Sequence, residues 1–263
     1  MGITISNAFI TKLQMTQGNL NIFEDFQGTA GIISSSYLSS LVTQNLLVHL
    51  DAGNSDSYGG SGTTWTDLQG NNNGTLVNGP TYDSTDGGSI VTDGTNDYIR
   101  LGRVAGTGTA TQSMTYEIWV NPSDNNGNIM SMAQTNPQSG WNMPPIAADG
   151  GRFRGKIWPN DLLYSSTFTQ GNWYQVALVF DYQGASQSSQ ILYVNGTSVA
   201  SQGSISYTAS GANNFLFLGQ ANPGANNTGD FAGNYGIFRI YNRALTASEI
   251  QQNFNTNRNR YDI

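Results

Sequence analysis

The sequence predicts an all-β protein, an antiparallel sandwich of two sheets with one short helix near its C-terminal end. Three observations support this fold class. Short apolar runs rich in β-branched and aromatic residues recur along the chain, each bounded by Gly, Asn, Asp or Pro. The only clear helical pattern comes after the last of these runs. The chain has 263 residues, 37% of them hydrophobic, which suits one large sandwich.

The strands are predicted in order from residue 46 onward. The first covers residues 46–50, and a turn at 51–54 follows it, where Gly and Asn supply positive φ angles. The next strands are predicted at residues 114–120, 174–180, 191–194, 215–219 and 236–241. Asn195 and Gly196, directly after the fourth strand, form a dipeptide that favours a tight hairpin.

The helix is predicted to begin after Thr246. Thr246 and Glu249 have the spacing of a capping box, and Ile250 and Phe254 then share one face of the helix. We expect this helix to lie against an edge of the sandwich. The polar tail from Asn255 onward is expected to be loosely held.

The first 45 residues differ from the rest of the chain. They contain apolar stretches but neither strand alternation nor a helical stripe. Two interpretations stay open: an arm or edge strands packed on the sandwich, and an anchoring segment that docks onto a larger assembly or builds an oligomer. The domain division is therefore residues 1–45 and 46–263.

Composition limits the partners. The net charge is −7, and the ten Lys and Arg residues are scattered along the sequence. A protein that binds nucleic acid electrostatically needs a basic patch, so we expect no nucleic-acid partner. Cysteine is absent, which excludes disulfides and thiolate metal sites. The start of the chain lacks a signal-peptide pattern, and no apolar run has the ~18 residues of a membrane-spanning helix.

Several segments occur in one order over residues 46–256. They are residues 47–53 (LVHLDAG), 63–68 (TTWTDL), 92–99 (TDGTNDYI), 116–120 (YEIWV), 172–181 (NWYQVALVFD), 192–196 (LYVNG) and 237–250 (IFRIYNRALTASEI). Together they resemble the laminin-G-like domains of the concanavalin A-like class. The resemblance implies a two-sheet jelly-roll sandwich and a role in binding or assembly. The sequence differs from the family pattern at Thr92, where Phe is usual. Residues 1–45 and 121–165 do not match the pattern.

The opening of this segment is similar to versions found in structural proteins of tailed bacteriophages, notably cyanophage-like ones. A protein made in a cytoplasm, yet with a surface of neutral polar residues and many loops, also fits a component of a virus particle. Only 10% of the residues are charged, well below the ~25% of an ordinary soluble domain.

Catalytic groups are scarce in this sequence. Glucanases of this fold carry Glu-x-Asp-x-x-Glu on one strand, whereas this chain has only Glu24, Glu117 and Glu249, none in such a setting. Glu117 is predicted to be an outward-facing strand residue. The single histidine, His49, lies in an apolar run and is predicted to be a core or rim residue rather than part of a triad. We therefore expect no enzyme activity.

No cofactor is required, and calcium is the one candidate. Relatives hold an ion near the rim of the sandwich, and Asp67, Asp97 and Asp230 are the positions here that could supply oxygen ligands. The acidic pair common near the last strand is replaced by residues 233–236 (GNYG). The alternative is that these aspartates cap turns.

Sugar binding in this fold uses aromatic rings and amides on loops. Trp141, Trp158 and Tyr164 lie in the stretch outside the resemblance, beside Asn160 and Asp161. A ring can stack on a pyranose while polar groups bind its hydroxyls. The alternative is that these rings complete the core or a subunit interface, where aromatic residues are also enriched.

These inferences lead to one expectation and one alternative. We expect a non-enzymatic virion protein of a phage, a capsid decoration, fibre or tail-associated protein made in the host cytoplasm and displayed on the virion surface without membrane insertion. Residues 1–45 would bind other virion proteins, the sandwich would bind host-surface glycans, and the chain would form a homo-oligomer, by analogy a trimer. The alternative is a secreted or cell-surface bacterial carbohydrate-binding module, extracellular and monomeric.

Overall fold

The computed structural model describes residues 13–16, 19–22, 40–105, 107, 112–133, 142–157, 160–184, 186–205, 215–220 and 229–263. The strands within these residues are β1 (Leu13–Thr16), β2 (Asn19–Ile22), β3 (Leu46–Asp51), β4 (Thr64–Trp65), β5 (Gly74–Val77), β6 (Thr81–Asp83), β7 (Ser89–Asp93), β8 (Tyr98–Arg103), β9 (Met114–Pro122), β10 (Gly127–Ala133), β11 (Asn142–Asp149), β12 (Arg152–Ile157), β13 (Asn160–Leu163), β14 (Tyr174–Asp181), β15 (Ser188–Val194), β16 (Thr197–Ile205), β17 (Phe215–Leu218) and β18 (Ala232–Tyr241). Among the described strands, β1 and β2 pair only with each other.

The remaining strands form two antiparallel sheets. The first sheet has the order β13-β12-β11-β10-β17-β8-β5-β4, and the second has the order β16-β15-β14-β9-β18-β7-β6. Strand β3 pairs with residues 237–241 of β18, while β7 pairs with residues 232–235 of the same strand. The predicted fold class, an all-β sandwich of two antiparallel sheets, is confirmed.

The strands predicted from the sequence all form. The predicted strands are the cores of β3, β9, β14, β15, β17 and β18. Asn195 and Gly196 have φ angles of 50° and 75° and connect β15 to β16, as the hairpin prediction requires. The stretch outside the family resemblance also folds into the sandwich, because β10 to β13 make up half of the first sheet.

The core lies between the two sheets. Phe153 and Ile146 of the first sheet and Leu178 and Leu192 of the second are fully buried in one cluster. The sheets approach each other closely at Gly155, where a Cβ atom would lie 2.7 Å from the Leu178 side chain. Burial of this apolar surface is the main favourable term in the stability of the fold.

The helix α1 (Ala247–Asn257) begins as predicted. The Glu249 amide donates to Thr246 Oγ1, and the Thr246 amide donates to the Glu249 carboxylate. None of the helices within the described part of the chain has the length and apolarity to cross a bilayer.

The prediction of a loose tail after Asn255 is wrong. The helix continues to Asn257, a short 3-10 helix follows at Arg258–Arg260, and Tyr261 is buried. The Tyr261 ring lies 4.6 Å from the ring of Trp119 and 4.4 Å from that of Trp173. A polar run cannot reveal this packing, because a single aromatic near its end holds the segment.

Glu117 faces away from the core, as predicted, but it does not reach solvent. Glu117 does lie on the outer face of the second sheet, but α1 covers that face and the side chain is fully buried. It forms an ion pair with Arg239 at 2.8 Å. Its second carboxylate oxygen accepts a hydrogen bond from Asn253 of the helix.

Candidate functional site

The two sheets differ in what covers their outer faces. On the second sheet, Trp119, Ile237 and Tyr241 point away from the core and are fully buried beneath the C-terminal segment. Val42 joins this cover, because its amide donates to Asn253 and its carbonyl accepts from the Tyr241 hydroxyl. This face is therefore occupied by the chain itself.

The outer face of the first sheet carries cationic side chains. On β12, Phe153 and Ile157 point into the core, so Arg152, Arg154 and Lys156 point outward. On β8, Ile99 and Leu101 are fully buried, which places Arg100 between them on the same outer face.

Arg103 reaches this face through a bulge. The register between β8 and β17 shifts between Phe215 and Leu216, so that Phe215 pairs with Arg103 while Leu216 pairs with Leu101. The Arg103 guanidinium lies 4.7 Å above the Phe215 ring. We refer to Arg100, Arg103, Arg152, Arg154 and Lys156 as the basic face.

A pocket of about 200 Å³ opens beside Arg154. Its lining includes Gly127, Asn128, Ala147, Asp149, Arg154 and Gly229. The pocket is polar. Arg154 Nη1 lies 3.5 Å from Asp149 Oδ2, and Arg154 Nε is buried without a hydrogen-bond partner among the described residues. Asn128 Nδ2 donates to the carbonyl of Gly229.

Three of the five residues predicted to bind sugar lie among the described residues. Asn160 and Asp161 lie on β13 beside the basic face, and Asp161 pairs with Lys156 at 3.1 Å. Tyr164 is partly buried against the core, which is the arrangement of the alternative interpretation. Trp141 and Trp158 lie outside the described residues.

Asp67 caps a turn. Asp67 Oδ1 accepts hydrogen bonds from the amides of His49 and Gln69, and Oδ2 accepts from the amides of Asn71 and Asn72. Both carboxylate oxygens therefore already have N–H donors. This geometry matches the turn-capping interpretation and leaves little capacity for a metal ion.

Asp97 and Asp230 lie in a different setting. Burial raises the carboxyl pKa of both residues and the charge of Asp93 adds to the rise, while a hydrogen bond with the Gln220 side chain opposes it at Asp230. Asp230 Oδ2 and Gln220 Oε1 are buried, and neither meets a donor in the part of the chain that the structure describes. Gln220 and Asp230 lie at one corner of the sandwich, because the amide of Phe231 donates to the carbonyl of Gly219 after β17.

This corner has the donor chemistry that calcium uses, carboxylate and amide oxygens. Buried oxygen atoms without a donor are rare in proteins, and a bound cation would satisfy them. Within the described ranges, however, no set of three or more His, Cys, Asp or Glu side chains converges on a metal position. The sequence analysis missed Gln220, since an isolated glutamine after a strand carries no signal of its own.

His49 is held in its neutral form. Burial, together with the charge of Arg239, lowers its pKa to about 4 against the opposing charges of Asp51 and Asp67. Its Nε2 is buried and has no hydrogen-bond partner among the residues described. The predicted core or rim position is confirmed.

The sequence matches a profile of a known family. Residues 93–251, more than half of the chain, match Laminin_G_3, described as the concanavalin A-like lectin/glucanases superfamily. No curated protein matches the chain in sequence.

Solved structures share the fold at low identity. The binding domain of Paraclostridial mosquitocidal protein 1 is 20% identical with a TM-score of 0.60, covering 81% of this chain and 52% of that one. Domain 4 of AbnA, an extracellular GH43 arabinanase from Geobacillus stearothermophilus solved with arabinotriose, is 20% identical with a TM-score of 0.55, covering 79% and 97%. A sialidase from Trypanosoma rangeli is 14% identical with a TM-score of 0.61, covering 82% and 34%. The chain therefore spans about half of the first structure and a third of the sialidase.

Proposed function

The chain belongs to the Laminin_G_3 family of the concanavalin A-like lectin/glucanase superfamily, and from this premise we propose that it is a non-enzymatic virion protein that displays a glycan-binding sandwich. The observation that carries the binding role is a polar pocket at the outer face of the first sheet. The second sheet is covered by α1, whereas the first sheet presents a polar pocket beside Arg154 and Asp149.

The surroundings of the glutamates support a binding role over a catalytic one. Glu117 is paired with Arg239 beneath the helix, and Glu249 is paired with Arg243 at 2.7 Å. The arginine beside Glu249 lowers the pKa of that carboxyl to about 2. A glycosidase needs one carboxyl with a raised pKa as general acid, and neither of these glutamates suits that task. Glu24 lies outside the described residues.

Two comparisons support carbohydrate or receptor binding. Domain 4 of the arabinanase was solved in complex with arabinotriose, and the mosquitocidal protein fragment is itself named a binding domain. The virion part of the proposal rests on the likeness of the opening of the sandwich to phage structural proteins. The finer role, as capsid decoration, fibre or tail-associated protein on the virion surface, is part of the same proposal.

We propose that the N-terminal segment attaches the protein to other virion proteins and builds a homo-oligomer. The last part of this segment, residues 40–45, is already bonded to the sandwich through Val42. A deletion that tests attachment should therefore end at residue 39, so that it leaves these hydrogen bonds intact.

The experiment compares light scattering of the full-length chain with that of a protein comprising residues 40–263. The proposal predicts a defined oligomer for the full chain, a trimer by analogy, and a folded monomer for the shorter one. Monomers of equal stability in both cases would contradict it. Glycan binding by such a monomer would then favour the alternative, a secreted or cell-surface bacterial carbohydrate-binding module.

Calcium is the one cofactor that we propose. Asp97 and Asp230 would hold it, with the orphaned Gln220 oxygen as a further ligand. Bound there, the ion would neutralise carboxylates that burial and Asp93 make costly to ionise. Asp67 is not part of this proposal, because backbone amides occupy both its oxygens.

A further inference from the structure

We propose that the pocket beside Arg154 binds the carboxylate of an acidic glycan, an inference that rests on the glycan-binding function proposed above. It adds a ligand class, sugars that carry a carboxylate, and a specificity-determining residue. Four observations lead to it: the distribution of cationic side chains, the unfilled donors of Arg154, the dimensions of the pocket and the line of charges beside it.

The cationic side chains are divided between the two sheets. Of the ten Lys and Arg residues in the chain, five form the basic face on β8 and β12 of the first sheet. Four lie on β18 or in the C-terminal segment, where Arg239, Arg243 and Arg260 pair with carboxylates at 2.6–2.8 Å. Lys12 lies outside the described residues. The outer face of the first sheet therefore carries five of the ten cationic residues of a protein with a net charge of −7.

Two residues of the basic face form ion pairs with carboxylates of the described residues. Among the residues that the structure describes, Asp149 and Asp161 form ion pairs with it, at 3.5 Å from Arg154 and 3.1 Å from Lys156. Both aspartates are nearly half exposed, so solvent screens these pairs. The pair of Arg154 with Asp149 is therefore weak, and an acidic ligand can compete for the guanidinium.

Arg154 has unused hydrogen-bonding capacity. A guanidinium has five N–H donors in a planar fork that fits a carboxylate with two parallel hydrogen bonds. The contact to Asp149 is at the long limit for a hydrogen bond, and the Nε donor is buried with no partner in the described part of the chain. A buried donor of this kind costs free energy unless a ligand accepts from it.

The pocket has the size and polarity for one sugar unit. Its volume of about 200 Å³ is below the ~300–1,000 Å³ of pockets for drug-sized molecules. Asp149 offers acceptor oxygens and Asn128 an amide for hydroxyl groups, while Arg154 offers donors for an acidic group. A neutral sugar would leave the arginine donors partly unfilled.

The neighbouring charges favour an oligosaccharide over a single sugar. Arg152, Arg154 and Lys156 alternate along β12 and are spaced about 6.6 Å apart. They form a line of three cations beside the pocket, parallel to the strand. An acidic glycan of several units could therefore place one carboxylate at Arg154 and others along the line.

The test is a binding titration with two matched pairs of probes on the full-length protein. The pairs are trigalacturonate with its methyl ester, and sialyllactose with lactose, so that each pair differs in the charge. At least one acidic member should bind about tenfold or more tightly than its neutral partner, since hydrogen bonds to charged groups are the stronger ones. Arg154→Gln should remove this preference, and Arg154→Lys, which keeps the charge but not the fork, should lose part of it.

Arg258→Gln is the matched control, because it removes the same charge on the opposite side of the sandwich and should change affinity less than about twofold. Equal binding of neutral and acidic partners, or an unchanged preference in a folded Arg154→Gln protein, would overturn the inference and leave the glycan-binding function standing. Binding of a single-stranded oligonucleotide with the same dependence on Arg154 would show an unspecific anion site and would also overturn it. Failure of every sugar on a broad glycan array would count against the proposed function itself.

Discussion

Glu117 and Arg239 form the most deeply buried ion pair among the described residues. Their side chains are 0% and 2% exposed, and Asn253 and Asn257 of α1 complete the network. Burying two charges costs solvation, so such a pair adds little net stability over an apolar pair. Removing one partner is a different matter, because the other charge then stays buried without compensation.

Glu117→Ala should lower the free energy of unfolding by about 3–5 kcal/mol in urea titrations. Asp161→Ala is the control, since its pair with Lys156 is exposed and should contribute at most about 1 kcal/mol. The double variant Glu117→Leu/Arg239→Met should recover much of the loss. A loss below 1 kcal/mol for Glu117→Ala would show that water reaches the pair.

The sequence could not show that Glu117 is buried. Strand alternation correctly placed it on the face away from the core, but alternation says nothing about what lies over that face. Its partner, Arg239, is 122 positions later in the chain, and the covering helix lies beyond that. In contrast, the capping box of Thr246 and Glu249 was predictable, because its partners are three residues apart.

His49 should make stability depend on pH. Burial lowers its pKa to about 4 in the folded protein, below the usual 6.5, so between these values the unfolded chain binds the proton more readily. The free energy of unfolding should therefore fall as the pH is lowered from 6.5 to 4, by up to about 3 kcal/mol. Urea titrations at pH 7, 5.5 and 4 measure this loss.

His49→Gln supplies the comparison for the pH experiment. The raised pKa values of Asp97 and Asp230 act in the opposite direction over the same range, but they are common to both proteins and cancel in the difference. The variant should lose less stability than the parent between pH 6.5 and 4. Identical losses would mean that His49 is protonated in the folded state.

At the scale of elements, the ends of β7, β17 and β18 meet at the corner of Asp93, Gln220 and Asp230. Calcium binding there should raise the midpoint of thermal unfolding with the concentration of the ion, since a ligand that binds only the folded state stabilises it. Asp230→Asn should abolish this increase. The effect should also weaken at low pH, where the raised pKa values keep Asp97 and Asp230 protonated.

Asp67→Asn separates the two kinds of aspartate. It should lower the midpoint in the absence of calcium, because it weakens a turn cap held by four amides, and it should leave the increase with calcium unchanged. An increase that survives in Asp230→Asn, or none in the parent protein, would contradict the proposed site.

The strands and their turns were the predictable elements, because period-two alternation and a dipeptide such as Asn195-Gly196 act locally. The sequence predicted two residues of the proposed calcium site, Asp97 and Asp230, but not Gln220. Asp97 and Asp230 are 133 positions apart, and the pairing of β7 with β18 and of β8 with β17 brings their strands together. The third predicted residue, Asp67, caps a turn instead, because the backbone amides of Asn71 and Asn72 donate to its carboxylate.

At the scale of the whole molecule, the sheet order gathers charges that look scattered in the sequence. Arg100 and Arg154 are 54 positions apart, yet β8 and β12 lie four strand positions from each other in one sheet. Adjacent strands are spaced ~4.8 Å apart, which puts the two strands about 19 Å apart, with both residues on the same face. The expectation of scattered basic residues came from chain position alone, without the strand order.

Segments from both ends of the described sandwich pack on the outer face of the second sheet. The C-terminal segment covers the second sheet, and residues 40–45 lie along it from the other side: Gln252 donates to the Ser40 carbonyl, and Arg243 to that of Gln44. The Val42 side chain is buried with Leu46, Tyr241 and Ile250. The N-terminal segment thus contributes to the fold of the sandwich at its end, whatever its first 39 residues bind.

A protein comprising residues 46–263 should accordingly be less stable than one comprising residues 40–263, by about 3 kcal/mol or more in urea. The loss has two sources, the apolar contact of Val42 and the two buried groups, Asn253 Oδ1 and the Tyr241 hydroxyl, left without their backbone partners. Val42→Ala in the longer protein is the control, because it keeps both hydrogen bonds and should lose only about 1–2 kcal/mol. If the shorter protein were as stable as the longer one, residues 40–45 would be a passive linker, and a deletion at residue 45 would test attachment as cleanly as one at residue 39.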